Sequence, residues 1–82
     1  MTMRHLIIDG SIGMDAIHEL LARELSFPAY YGKNLDALYD CLTEVQEDVE
    51  IEVINMEYLG RKGHALQQTI LDASLSNPHI TA

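Results

Sequence analysis

Tryptophan is absent from this chain, phenylalanine and cysteine occur once each, and proline only twice. With Cys41 as its one cysteine the chain cannot close an internal disulfide, which suits a reducing compartment. No apolar run approaches the ~20 residues of a membrane-spanning helix. The apolar stretch in MTMRHLIIDG is also too short for the core of a secretion signal, so a cytoplasmic protein is expected. Positive charge is scarce as well. Five Lys and Arg stand against thirteen Asp and Glu, a net charge of −8. Nucleic acid and anionic membranes would repel such a surface, and neither is expected as a direct partner. A basic protein would be attracted to it over a Debye length of roughly 8–10 Å. The plain alternative is that the excess acid serves solubility alone.

What remains is ordinary for a folded protein: 82 residues, 48% apolar and 22% charged. That length suits one domain over residues 1–82, burying ~60% of the surface its unfolded chain exposes. Arg4 to Asp9 reads as a short strand stopped by Gly10. Asp15 can cap a helix whose inner stripe is Ile17, Leu20, Leu21 and Leu25, with His18, Glu19, Arg23 and Glu24 facing outward. Ser26 ends it, because Phe27 precedes Pro28 and is pushed out of the α region. A loop through Lys33 leads to Asn34, a good cap for a second helix to about Leu42. Glu50 to Met56 is a second strand, with Ile51 and Val53 on one face. Gly60 and Gly63 loosen the entry to a third helix lined by Leu66, Ile70 and Ala73. Asn77–Pro78 stops that helix before a short last strand, His79 to Thr81. Strands separated by helices imply parallel pairing, hence a small α/β layer structure.

The second helix carries the unusual feature. Leu35, Leu38, Cys41 and Leu42 form its core side, with Val45 beyond them. Asp36, Tyr39, Asp40 and Thr43 recur at i, i+3, i+4 and i+7 on the other side, an exposed tyrosine between two acids. Like charges four residues apart destabilise a helix by ~0.2–0.5 kcal/mol. Asp36 in the first turn is welcomed by the helix dipole, whereas Asp40, a turn later, is less so. No Lys or Arg occurs between Asn34 and Arg61 to answer either acid. The face is either merely solvated or a docking surface for cations on another molecule, to which a tyrosine would add flat apolar area and a hydroxyl.

At these residues the sequence resembles the barstar family, the small intracellular inhibitors of secreted bacterial ribonucleases. YYGKNLDALYDCLT, residues 30–43, is similar to the prototype's YYGENLDALWDCLT at all but two positions. His18, Glu24, Leu25 and Pro28 extend the likeness, and the order of elements agrees along the chain. The resemblance implies a three-stranded parallel sheet packed with three to four helices. It also implies binding rather than catalysis: a cytoplasmic inhibitor of a basic, barnase-like ribonuclease, secreted or delivered as a toxin. The free protein would be a monomer and the complex one-to-one, in an antitoxin or immunity role. The second helix and the loop before it would cover the enzyme's active site. Asp40 would be the central anchor in a phosphate subsite and Asp36 would pair with further basic groups. Tyr30 would pack on the catalytic histidine. Gly32, Asn34 and Leu35 would give close loop contact, Tyr39 and Thr43 would fill the surrounding surface, and Asp72 would stand for a third-helix acid. The weight placed on Asp40 is inherited from the family prototype, itself a standard example of an interface hot spot.

Differences from the prototype bear on the target. Lys33 replaces an acid, Tyr39 replaces a tryptophan, the connector after Thr43 lacks a tryptophan, and the last strand is abbreviated. An adaptor with a basic partner that is not a nuclease is the alternative, and a small hydrolase a more distant one. For the latter, a convex helix gives Asp36 and Asp40 no pocket to raise either pKa. His5, His18, His64 and His79 lack metal-ligand spacing, and neither a metal nor a cofactor is expected. Cys41, facing Leu38 and Leu42, reads as a packing thiol. Gly10–Ser11–Ile12–Gly13 is no phosphate loop. Met14, Met56 and Leu66 read as core.

Overall fold

Alternation in two β-branched runs decides which way the sheet faces. In the computed structural model, which describes residues 3–82, β1 is Arg4–Asp9, β2 is Val49–Ile54 and β3 is Ile80–Thr81. They form one parallel sheet in the order β1-β2-β3. Leu6 lies opposite Ile51, Ile8 opposite Val53, and Val49 opposite Ile80. Leu6, Ile8, Val49, Ile51 and Ile80 are buried, while His5, Ile7, Glu50, Glu52 and Ile54 between them are exposed. Side chains on a strand point alternately to its two faces, so the core lies on one face of the sheet. Parallel sheets are usually covered on both.

Three helices build that core: α1 (Met14–Glu24), α2 (Leu35–Thr43) and α3 (Arg61–Ser76). Ile17 and Leu21 of α1, Leu38 and Leu42 of α2, and Leu66, Ile70 and Ala73 of α3 meet in it. Met14 and Met56 pack against its edge, half-buried. The α/β architecture is thus the expected one, three parallel strands packed with three helices.

Several local expectations need correction. Gly13, not Asp15, precedes α1; Asp15 lies inside the first turn, where its charge favours the helix dipole. His18, expected outward, is 3% exposed. At about 100° per residue it stands only ~20° from Leu25 around α1, inside the buried sector. Ile54 ends β2, because Asn55 takes a left-handed conformation with φ 56°. Two short 3-10 turns, Gly10–Ile12 and Met56–Leu59, have no periodic signal in the sequence. Glycine is needed where they are crossed: a Cβ on Gly10 would stand 2.4 Å from the Asn55 carbonyl oxygen, and one on Gly63 2.6 Å from that of Met56. Gly63 therefore marks close packing of α3, not a loosened entry.

One buried polar side chain ties α2 to α3. Asn77, 4% exposed, donates through Nδ2 to the carbonyls of Leu42 and Val45, each at 2.9 Å. Its Oδ1 accepts from the His79 backbone N–H at 3.0 Å. Leaving a buried carbonyl unpaired would cost ~1–3 kcal/mol, so this clasp fixes the end of α2 against the rest of the fold.

Candidate functional site

Asn34 starts α2 as its sequence position predicts. Its backbone is extended, with φ −135° and ψ 168°, and its Oδ1 accepts from the Ala37 N–H at 2.8 Å. From there the helix buries Leu38 and Leu42 completely. Burying a leucine side chain is worth ~1.5–3 kcal/mol. That exceeds the few tenths of a kcal/mol lost to repulsion between Asp36 and Asp40. The fold can therefore carry both acids without answering them.

Nor does it answer them. Asp36 and Asp40 are both exposed, and among the described residues neither carboxylate has an ion pair. The chain's cations are engaged elsewhere or stand free. Arg4 pairs with Glu24 and Glu47, Arg23 with Glu24, and Lys33 with Glu19 at 3.2 Å. Arg61 and Lys62 form no ion pair among the described residues. Lys33, the charge reversal beside the acidic face, is thus drawn toward α1. Glu44, the exposed residue that ends α2, continues the line of acids one turn past Asp40.

Around this line the expected site residues fall into two groups. Tyr30 is 88% exposed, and Gly32 and Asn34 are exposed beside it. Leu35 is half-buried, and Thr43, also half-buried, donates its hydroxyl back to the Asp40 carbonyl at 2.8 Å. Tyr39 departs from expectation: it packs against the core, with Oη 2.8 Å from Ser76 Oγ on α3. Around the helix it lies ~60° from Leu42 but ~100° from Asp40, so it belongs to the flank of the core and not between the acids. Asp72 is exposed on α3, one turn before Ser76, and its Oδ1 accepts from Gln68 Nε2 at 3.0 Å.

A cleft of about 450 Å³ opens between α2 and the loop before it, lined by Phe27, Pro28, Tyr30, Tyr31, Asp40, Cys41 and Glu44 among others. The helix is therefore not convex all round: the loop stands away from it, and the cleft between them is bordered by Asp40 but not by Asp36. Left-handed backbone at Ser26 and Lys33, φ 56° and 52°, turns the chain at both ends of this loop. Cys41 is half-buried on the cleft wall and not directed into the core. Burial raises its thiol pKa, and the carboxylates of Glu44 and Asp40 raise it further, so the thiol is held in its unreactive protonated form. No three His, Cys, Asp or Glu come together as a metal site among the described residues.

Sequence reasoning missed the supports behind this face. His18 Nδ1 is 2.6 Å from the Tyr31 hydroxyl, and Phe27 packs on Tyr31 with ring centroids 5.0 Å apart. Ser76 holds the middle of α2 through Tyr39, and Asn77 holds its far end. The angular position of His18 beside Leu25 was the available signal for the first; Asn77 and Ser76 lie beyond the reach of local pattern, because their partners are 35 and 37 residues away.

Comparison with known proteins bears on what such a face serves. A Bacillus subtilis (strain 168) protein named "Putative ribonuclease inhibitor YrdF" is 54% identical to this chain over 43 residues, 50% of this chain and 47% of that protein. Over the matched segment the chain thus spans about half the relative's length. A family model described as "Barstar (barnase inhibitor)" matches residues 1–75 and so takes in β1 and β2, all three helices but the last residue of α3, and the acidic face of α2. The chain belongs to the barstar family.

Proposed function

We propose that this protein inhibits a basic, barnase-like ribonuclease by laying α2 and the loop before it over the enzyme's active site. One observation carries the reading: Asp36 and Asp40 project from a packed helix, exposed, with no ion pair to any cation among the described residues. A ribonuclease cleft must stabilise phosphate charge, so it gathers Arg, Lys and His. Two carboxylates about one helical turn apart offer that cleft negative charge without a bond to cleave. Asp40 is the anchor in a phosphate subsite, beside the cleft that Tyr30 overhangs. Asp36 takes flanking cations, and Gly32, Asn34, Leu35 and Thr43 make the close surround. Tyr39 presents only its outer edge, and Asp72 borders the face from α3. Because α2 is capped, packed and clasped at its end, little order has to be imposed on binding. The −8 charge speeds encounter with a cationic enzyme. In the cell the protein acts as an antitoxin toward such an enzyme, one-to-one.

The test is an RNA-cleavage assay with barnase, and with any ribonuclease captured on the immobilised protein. Wild type abolishes cleavage at near-stoichiometric ratio. Asp40→Ala, folded by circular dichroism, loses at least ~2 kcal/mol of affinity, about thirtyfold. Equal inhibition by both would remove Asp40 from the centre, and inhibition by neither would overturn the reading.

A further inference from the structure

The loop that presents Tyr30 is ten residues from Leu25 to Asn34 and contains no regular structure. Left to itself such a segment samples many conformations, and Tyr30, 88% exposed, has almost no contacts of its own to hold it. The next residue is different. Tyr31 is half-buried: its ring packs against Phe27, its backbone N–H donates to the Pro28 carbonyl at 3.0 Å, and its hydroxyl meets His18 Nδ1 at 2.6 Å. His18 is rigid, because it is 3% exposed in the middle of α1. Consecutive Cα atoms are ~3.8 Å apart, so anchoring Tyr31 fixes the place from which Tyr30 projects. A second link from the same turn of α1, Glu19 to Lys33, reaches the other end of the loop but is exposed. Exposed pairs of that kind hold weakly.

We propose that the His18–Tyr31 hydrogen bond is a latch that keeps the loop between α1 and α2 in its docking form. His18 and Tyr31 are then positioning residues for Tyr30, although neither need touch a partner. The inference rests on the proposed docking role of that loop, but the latch itself can be tested in the free protein. Tyr31→Phe keeps the ring on Phe27 and deletes only the hydroxyl. His18→Phe fills the same space and deletes the ring nitrogen that meets the hydroxyl. By backbone NMR relaxation, residues 29–33 are as ordered as α1 in wild type and become mobile in either variant, with no further change in the double variant. A loop that stays ordered in both variants overturns the latch. If one variant fails to fold, the other decides the point.

Binding to barnase supplies the second arm. Loosening the loop raises the dissociation rate about tenfold and leaves the association rate nearly unchanged. The effect vanishes when Tyr31→Phe is placed on a Tyr30→Ala background, and persists on an Asp40→Ala background. A general structural defect would weaken both backgrounds alike, and that result overturns the positioning role, as does unchanged affinity in a variant whose loop has become mobile. Absence of wild-type binding counts against the proposed function instead, and the latch is then decided by loop order alone.

Discussion

At the scale of single residues, His18 and Tyr31 set opposite limits on stability with pH. Burial disfavours the imidazolium and lowers the His18 pKa from 6.5; Asp15 opposes this and Lys33 adds to it. Burial pushes the Tyr31 hydroxyl up to about 12, helped by charge at Cys41. Below 6.5 the unfolded chain binds the His18 proton more readily than the folded one, so stability is lost as pH falls toward the lowered value. Between 10 and about 12 the unfolded chain gives up the Tyr31 proton while the folded one keeps it, so stability is lost as pH rises through that range. Urea midpoints measured across pH should therefore decline on both sides of a plateau. His18→Phe should flatten the limb just below pH 6.5, and Tyr31→Phe the limb above pH 10. Unaltered limbs in these variants would assign the pH dependence to other groups.

At the scale of elements, α2 shows what local rules can reach. Asn34 caps it, Leu38 and Leu42 bury it, and Asp36 and Asp40 stay in water, all as spacing and residue type indicate. Asn34→Ala should cost ~1 kcal/mol by urea unfolding and Asn34→Gly only a few tenths. Equal stability of Ala and wild type would mean that the cap contributes nothing. The same rules failed where residue type was trusted over angle. Polarity points His18 outward and i+3 spacing from Asp36 points Tyr39 among the acids, yet His18 lies within the buried sector of α1 and Tyr39 on the flank of that of α2. They also failed where a neighbour far along the chain decides the outcome. The turn at Met56–Leu59 is fitted against Gly10 and Gly63, and the cleft beside Asp40 depends on how the loop leaves α1. Nothing within a few residues of those positions encodes such contacts. Of the proposed docking face, the acids are legible in the sequence; His18 and Tyr31, which meet behind the loop, and Asn77, which clasps the end of α2, are not.

At the scale of the whole molecule, the distribution of charge matters more than its sum. Arg4, Arg23 and Lys33 are each drawn to a glutamate, and Glu24 alone takes two of them. Surface pairs of this kind add at most ~1 kcal/mol each to stability. Their larger effect here is to keep these three cations from pairing with the line from Asp36 through Asp40 to Glu44, which lies next to a cleft and an exposed tyrosine. On that arrangement rests the claim that an RNA-cutting site takes these carboxylates in place of phosphates. Competition tests it most directly: the affinity of the protein for barnase is measured by calorimetry with and without a saturating mononucleotide in the enzyme's active site. Apparent affinity should fall in proportion to mononucleotide occupancy, because both ligands occupy one phosphate subsite. Undiminished affinity, with protein and nucleotide bound together, would contradict it.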